Sequence, residues 1–281
     1  MINKINIRYA LAAATCLIGF TLNAAPVTMV GSNSFGESWL TGGDWSDGNA
    51  ATSGNDYTVG SAFTVRTVQA PSTTFQGDSL TVEGILSHKA VSSTIGNLIL
   101  SGGTVSNQGY GSANVTMTLN GGITLTSATT STFEAGPQAG RNLVFASAIS
   151  GEGNIDITSL VAGNSVTLSN ASNSFTGTIT VQSGGLLDFD YAHDTAASLS
   201  IVSGGLLNLD ENLSFSGLNL LGDTIGAGTY SVADFTALDA NYTALFNDGG
   251  GMISVIPEPS AFALVGGACV FGLVVMRRRR S

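Results

Sequence analysis

The chain has 281 residues and a formal charge of −10, yet its basic residues lie mostly at the two ends: Lys4, Arg8 and Arg277 to Arg280. Between them stand only Arg66, Lys89 and Arg141 against nineteen acidic residues, a formal −16, and such a surface repels phosphate backbones and excludes nucleic acid as a partner. The scarcity of Lys with 37 glycines argues against an ordinary helical enzyme, and the two cysteines, Cys16 and Cys269, both fall in apolar terminal segments, so the middle has no disulfide framework or cysteine metal site.

The N-terminus carries Lys4 and Arg8, then the apolar run Ala10 to Phe20, then Ala24 and Ala25 before Pro26. Eleven apolar residues are too few to span a bilayer. The basic, apolar and small-residue order is that of a secretory signal peptide over 1–24, handed to the secretion translocon and cut after Ala24. Residues 25–57 lack the glycine-pair repeat found later and form an expected N-terminal cap. Within it, Trp39, Trp45 and Tyr57 stand near Asp44, Asp47 and Asp56. Aromatic faces beside carboxylates can hold a sugar, so these three rings are the candidate carbohydrate contacts; the competing reading is a hydrophobic plug with Asp-Gly turns. The spacing does not match a helix-loop-helix calcium loop, and no metal site is expected.

Residues 58–221 repeat. Thr180 to Asp190 and Ser200 to Asp210 share Ser-Gly-Gly-Leu-Leu at a spacing of 20, and Leu98 to Val105 and Met117 to Leu125 carry glycine pairs 19 apart. Leu80 to Leu86 is a weaker copy, and the segments around Gly140 and Gly163 are candidates for the coils between. In Val166-Thr-Leu168 and Ile179-Thr-Val181 every second residue is aliphatic, the period of a half-buried strand rather than of a helix. A repeat of about 20 residues made of short strands signals a solenoid, with glycine at corners where a positive φ is needed. The expected fold is all-β: a right-handed parallel β-helix of roughly six to eight coils, about 30 to 40 Å long. Residues 222–254 leave the repeat and are expected to form a C-terminal cap and linker, with a short helical turn within Ala233 to Leu245.

The segment Val166 to Leu187, with Asn173, Phe175 and Gly177 followed by a Thr/Val strand and a Gly-Leu ending, resembles the autotransporter-associated β-strand repeat. Ile149 to Ile155 resembles the turn that often precedes that repeat. The resemblance implies a passenger-like β-helical stalk. It does not carry self-transport with it, because the chain runs on into a tail of another kind.

That tail, 255–281, orders Pro257-Glu258-Pro259, an apolar stretch over 261–276 and the cluster Arg277, Arg278, Arg279 and Arg280. Sixteen residues make a helix of about 24 Å, short of a hydrocarbon core but able to span it with arginine snorkelling. The arginines belong on the cytoplasmic side, which places the middle outside. The three-part order resembles the PEP-CTERM sorting signal. That resemblance implies recognition by a membrane exosortase, passage through the inner membrane, and display at the cell surface or in an extracellular polysaccharide matrix.

No catalytic residue is expected. His193, with Asp188, Asp190 and Asp194 nearby, reads as a solvated corner, and His88-Lys89 reads as isolated. Lyase chemistry on acidic sugars needs cations near the sugar, and three basic residues dispersed in sequence argue against it. Thr-x-Thr pairs at Thr116/Thr118, Thr124/Thr126 and Thr178/Thr180 raise ice binding as a remote reading. The leading expectation is an exported, non-catalytic structural or adhesive protein without cofactor. The alternative is a carbohydrate-binding or carbohydrate-active β-helix with extracellular polysaccharide as its partner.

Overall fold

The computed structural model describes residues 24–31, 37–109, 115–194 and 196–256. The expected signal peptide up to residue 23, Pro257, Glu258 and Pro259, the apolar stretch 261–276 and Arg277 to Arg280 lie outside the described residues. Among the described residues no helix is long and apolar enough to cross a membrane.

The middle is a parallel β-solenoid of at least six turns. Strand pairing resolves each full turn into three faces. The first face stacks 72–74, 92–94, 117–119, 143–145, 166–168, 187–189, 207–209 and 246–248. The second stacks 25–28, 55–59, 79–82, 98–100, 122–125 and 148–151, and its later coils continue through 193–194, 213–215 and 253–255. The third is a ten-stranded sheet that begins at Glu37–Ser38 and ends at Asp223–Ile225. The two nine-residue strands Ser92–Leu100 and Met117–Leu125 bend across a corner and serve the first two faces at once. This is why those faces join into one twelve-stranded sheet.

Alternation drives the packing. In Thr178–Val181, Ser198–Ile201 and Gly217–Leu220 every second residue is buried. The register Ile179↔Leu199↔Leu218 and Val181↔Ile201↔Leu220 turns these residues into aliphatic columns inside the coil. Such columns bury apolar side chains against the coil above and the coil below, so each turn depends on its neighbours for stability.

The glycine pairs work in two ways. In Ser-Gly-Gly at 101–103, 183–185 and 203–205 the first glycine has φ near +80°, at +83°, +81° and +82°, which an L side chain rarely adopts. The second glycine lies against the carbonyl of the preceding coil, so a Cβ there would stand 2.5 Å from Val82 O, 2.4 Å from Ile157 O or 2.5 Å from Val181 O.

The equivalence expected for 98, 117, 180 and 200 holds only for the last two. Thr180 and Ser200 are register partners, but Leu98 pairs with Ile123 rather than Met117, and these strands belong to other faces than 180 and 200. Gly121-Gly122 is not a corner between strands. It lies inside the bent strand, where Gly121 has φ +112° and a Cβ would meet Ile95 O at 1.9 Å. The Ser-Gly-Gly turn at 101–103 joins the second face to the third, whereas those at 183–185 and 203–205 join the third to the first. Coil length varies accordingly: the register step is 18 residues from Leu80 to Leu98, 25 from Leu98 to Ile123 and 20 from Leu187 to Leu207.

Both expected caps also contribute strands. At the start, Ala25–Thr28 already pairs with Asn55–Val59. At the end, Asp223–Ile225 folds back antiparallel on Gly217–Leu220 and closes the edge of the third face. The helix Val232–Leu238 starts with a capping box between Ser231 and Asp234 and is followed by a 3₁₀ segment, Ala240–Leu245. Phe235 stacks on Tyr230 and Phe246, centroids 5.2 and 5.0 Å away, and forms an apolar lid on the last coil. Covering sheet edges in this way prevents end-to-end pairing.

Candidate functional site

The candidate sugar-contact rings are not available to a sugar. Trp39 and Tyr57 are fully buried and Trp45 is 2% exposed. Trp45 packs edge-on against Tyr57 at 4.8 Å, and Phe75 meets Tyr57 at 5.5 Å and Trp39 at 5.4 Å. Trp45 Nε1 donates to the Trp39 carbonyl at 3.1 Å, and the Tyr57 hydroxyl accepts from Thr52 N at 2.9 Å. The aromatic group is therefore the plug of the first coils: its faces are spent on one another. Asp47 caps its own turn by accepting from Asn49 N at 3.1 Å.

The His193 corner is buried rather than solvated. His193 is 1% exposed, with ring centroids of Phe189 at 4.7 Å and Phe215 at 5.3 Å. Tyr191 Oη lies 3.0 Å from His193 Nδ1 and accepts from Asn173 Nδ2 at 2.6 Å, and Asn173 Oδ1 accepts from Ile149 N at 2.8 Å. Burial pushes the Tyr191 hydroxyl up to about 12. The chain Ile149–Asn173–Tyr191–His193 thus stitches three successive coils. It also explains the Asn-x-Phe-x-Gly spacing: Asn173 ties the corner to the coil before, Phe175 fills the interior, and a Cβ on Gly177 would meet Gly153 O at 2.0 Å.

An open recess lies on the outer side of the third face, close to its C-terminal edge. Thr178, Ser198, Ser200, Asn219 and Thr224 line it, and Gly217, which has no side chain, leaves a notch of about 360 Å³. The strand register sets the columns Thr178–Ser198–Gly217 and Thr180–Ser200–Asn219 on this face. The lining offers hydroxyls and one amide, groups that hydrogen-bond to sugar hydroxyls or water but move no proton at neutral pH. The alternation Thr-x-Thr and Ser-x-Ser was visible in the sequence; the notch was not, because it depends on which coil ends the sheet.

No protein-family model, no curated protein and no solved structure matches this chain.

The basic residues that are dispersed in sequence come together in space. Arg66, Lys89 and Arg141 all sit where the third face turns into the first, in the first, second and fourth of four successive coils. Lys89 Nζ and Arg141 Nη1 donate to the same carbonyl, Gln108 O, at 3.3 and 2.9 Å. Desolvation, then the charges of Arg66 and Arg141, lower the Lys89 ammonium below the usual lysine range. His88 is likewise not an isolated surface residue. It is fully buried in register with Asn107 of the next coil, and burial lowers it to about 4. Among the described residues no group of three or more His, Cys, Asp or Glu side chains is placed to hold a metal ion.

The three Thr-x-Thr pairs fall on three different faces: Thr116/Thr118 at the first, Thr124/Thr126 at the second and Thr178/Thr180 on the third. They form no common flat threonine array of the kind that orders an ice-like water layer.

Proposed function

We propose that the chain is a non-catalytic structural protein of the cell surface or of an extracellular polysaccharide matrix, with the solenoid as a rigid spacer. The observation that carries this reading is the continuous apolar interior, which runs through the stacked coils from the Trp39–Trp45–Tyr57 plug to the Phe235–Phe246 lid. A rod filled by side chains and closed at both ends supplies length and a durable outer surface. We take the coil to be right-handed, the hand that twisted parallel strands favour in their crossovers. The last described strand, Ile253–Val255, pairs with Leu213–Phe215, and in sequence Pro257-Glu258-Pro259 begins two residues after it. On this reading the translocon exports the chain, residues 1–24 are removed, and an exosortase acts at the tail while it sits in the inner membrane.

Mass spectrometry of the exported protein should find an N-terminus at Ala25. Changing Pro257-Glu258-Pro259 to alanines should hold the protein in the inner membrane on fractionation. A retained Met1, or display that is unchanged by the alanine variant, refutes the sorting reading.

A further inference from the structure

We propose that Arg66, Lys89 and Arg141 form a binding site for an oxyanion group, carboxylate or sulfate ester, carried by an acidic polysaccharide. The polysaccharide as source rests on the matrix reading above; the oxyanion chemistry does not. These are the only three basic residues between Arg8 and Arg277, and 23 and 52 residues separate them in sequence. Chance placement on a rod of many coils and three faces would scatter them. Instead they occupy one corner.

The geometry is built from four successive turns. Arg66 ends the third-face strand Thr64–Arg66, beside Ser87 in the next coil. Lys89 follows the next such strand, Ile85–His88, and Gln108 follows the one after, Thr104–Asn107. Arg141 reaches back from the turn beyond Thr130–Ala135. Lys89 and Arg141 thereby approach Gln108 O from opposite sides along the rod. The Arg141 guanidinium lies flat on Gly109, where a Cβ would come within 2.2 Å of its Cζ. Gly109 also has φ +82°, so the residue that beds the guanidinium is one a side chain would disfavour on two counts.

Among the described residues the site has no internal counter-ion. Arg141 is only 5% exposed, and its Nε, like that of Arg66, is buried without a hydrogen-bond partner among the described residues. Neither arginine nor Lys89 makes an ion pair among the described residues. The carboxylate on the same outer column, Glu134, is held by Ser106 Oγ at 2.6 Å, and Ser106 Oγ in turn accepts from Gln108 Nε2 at 2.7 Å. A buried guanidinium without an anion is strongly unfavourable, and Lys89, which feels the charges of Arg66 on one side and Arg141 on the other, adds repulsion. An incoming oxyanion relieves both costs. Lys89 and Arg66, each partly exposed, are the route by which it arrives. Elsewhere the surface is acidic, so a polyanion would be held at this corner and repelled along the rest of the rod.

The test is calorimetric titration of the full chain in detergent with three oligosaccharides of equal length: a polyuronate, a sulfated glucan and an uncharged glucan. At least one charged oligomer should bind with an affinity that falls as salt rises, and the uncharged one should not bind. Polyuronate binding alone assigns a carboxylate, sulfated binding alone a sulfate ester, and binding of both a shared oxyanion subsite. Lys89→Gln and Arg66→Gln, both at partly exposed positions, should each weaken binding at least tenfold with melting temperature unchanged or raised. Arg141→Gln should abolish binding if it folds, and the two other variants keep the test valid if it does not. Equal binding of the uncharged oligomer, no binding of either charged oligomer, or full affinity in the Arg66→Gln/Lys89→Gln double variant would overturn the proposal. None of these results depends on how the tail is processed.

Discussion

Leu206 and Leu207 are sequence neighbours in one strand, and the solenoid gives them opposite surroundings. Leu207 is fully buried and pairs with the fully buried Leu187 of the coil before, while Leu206 is partly exposed. Replacing Leu207 by alanine removes a side chain from the interior column and leaves a cavity that stacked strands can close only in part. Such changes cost about 3 kcal/mol. For a protein of this size about 1 kcal/mol corresponds to about 2–4 °C, so the melting temperature should fall by about 6–12 °C. Leu187→Ala should behave the same way. Leu206→Ala, which uncovers side chain already in contact with water, should cost under about 1 kcal/mol. Leu186→Ala should fall between, because Leu186 is 8% exposed. Circular dichroism melts of the four variants give the measurement. If Leu206→Ala and Leu207→Ala melt alike, the inward column assigned to this strand is wrong.

Two pH effects follow from buried or crowded groups. His88 stays neutral in the fold down to about 4, while the unfolded chain takes up a proton near 6.5, so stability that is complete above 6.5 should be lost as pH falls toward 4. The loss approaches about 3 kcal/mol, and His88→Asn, which copies its register partner Asn107, should flatten that part of the pH–stability curve measured by urea unfolding. Asp188 has the opposite sign. Desolvation, then the charge of Asp190, raise its carboxyl above the usual range, so the fold carries a penalty at neutral pH that disappears below the unfolded value of 3.8. Asp188→Asn should therefore raise the melting temperature at pH 7 and leave it unchanged at pH 3; an equal shift at both would rule out the electrostatic cause.

Local signals in the sequence carried the architecture. Alternation in Thr178–Val181, and glycine where a chain must turn against the coil below, are properties of a few adjacent residues, and both appear in the structure as read, whereas Val166–Leu168 is buried throughout because Thr167 is covered where it bonds Asp188 of the next coil. Register did not follow from them. It depends on how many residues each connection spends between faces, and Gly121-Gly122 mimics a corner because a bend within a strand also needs a residue without a Cβ. The aromatic trio was ambiguous for a related reason: Trp39, Trp45 and Tyr57 have the composition both of a sugar platform and of a plug. Only their mutual edge-on packing with Phe75, a residue outside the cap as delimited from sequence, decides between the two. His88 and His193 looked like surface residues because their sequence neighbours are polar, yet at a solenoid corner one side chain can face inward while those beside it face out.

A solenoid converts sequence distance into columns, and this changes what a charge does. Residues at the same corner of successive coils stand about 4.8 Å apart however many residues separate them in sequence. Like charges gathered close on the rod, within a coil or across stacked coils, repel, and the rod shows two instances. On the acidic side, Asp188 is pressed by Asp190 and Asp210, and the fold answers with a neutral ladder in which Thr167 donates to Asp188 at 3.3 Å and Asn247 to Asn208 at 2.7 Å. On the basic side, Lys89 and Arg141 share the carbonyl of Gln108, and Arg66 Nε is buried with no hydrogen-bond partner among the described residues. Asparagines fill equivalent corners where nothing charged is required: Asn107 donates to Asn142 O at 2.7 Å, and Asn164 to Gly136 O and Gln138 O at 2.9 and 2.7 Å. The corner can thus be satisfied by neutral amides, and in adjacent coils it is. Keeping three cations there is a cost that corner geometry does not demand, which is why an anion from outside accounts for them better than the fold alone.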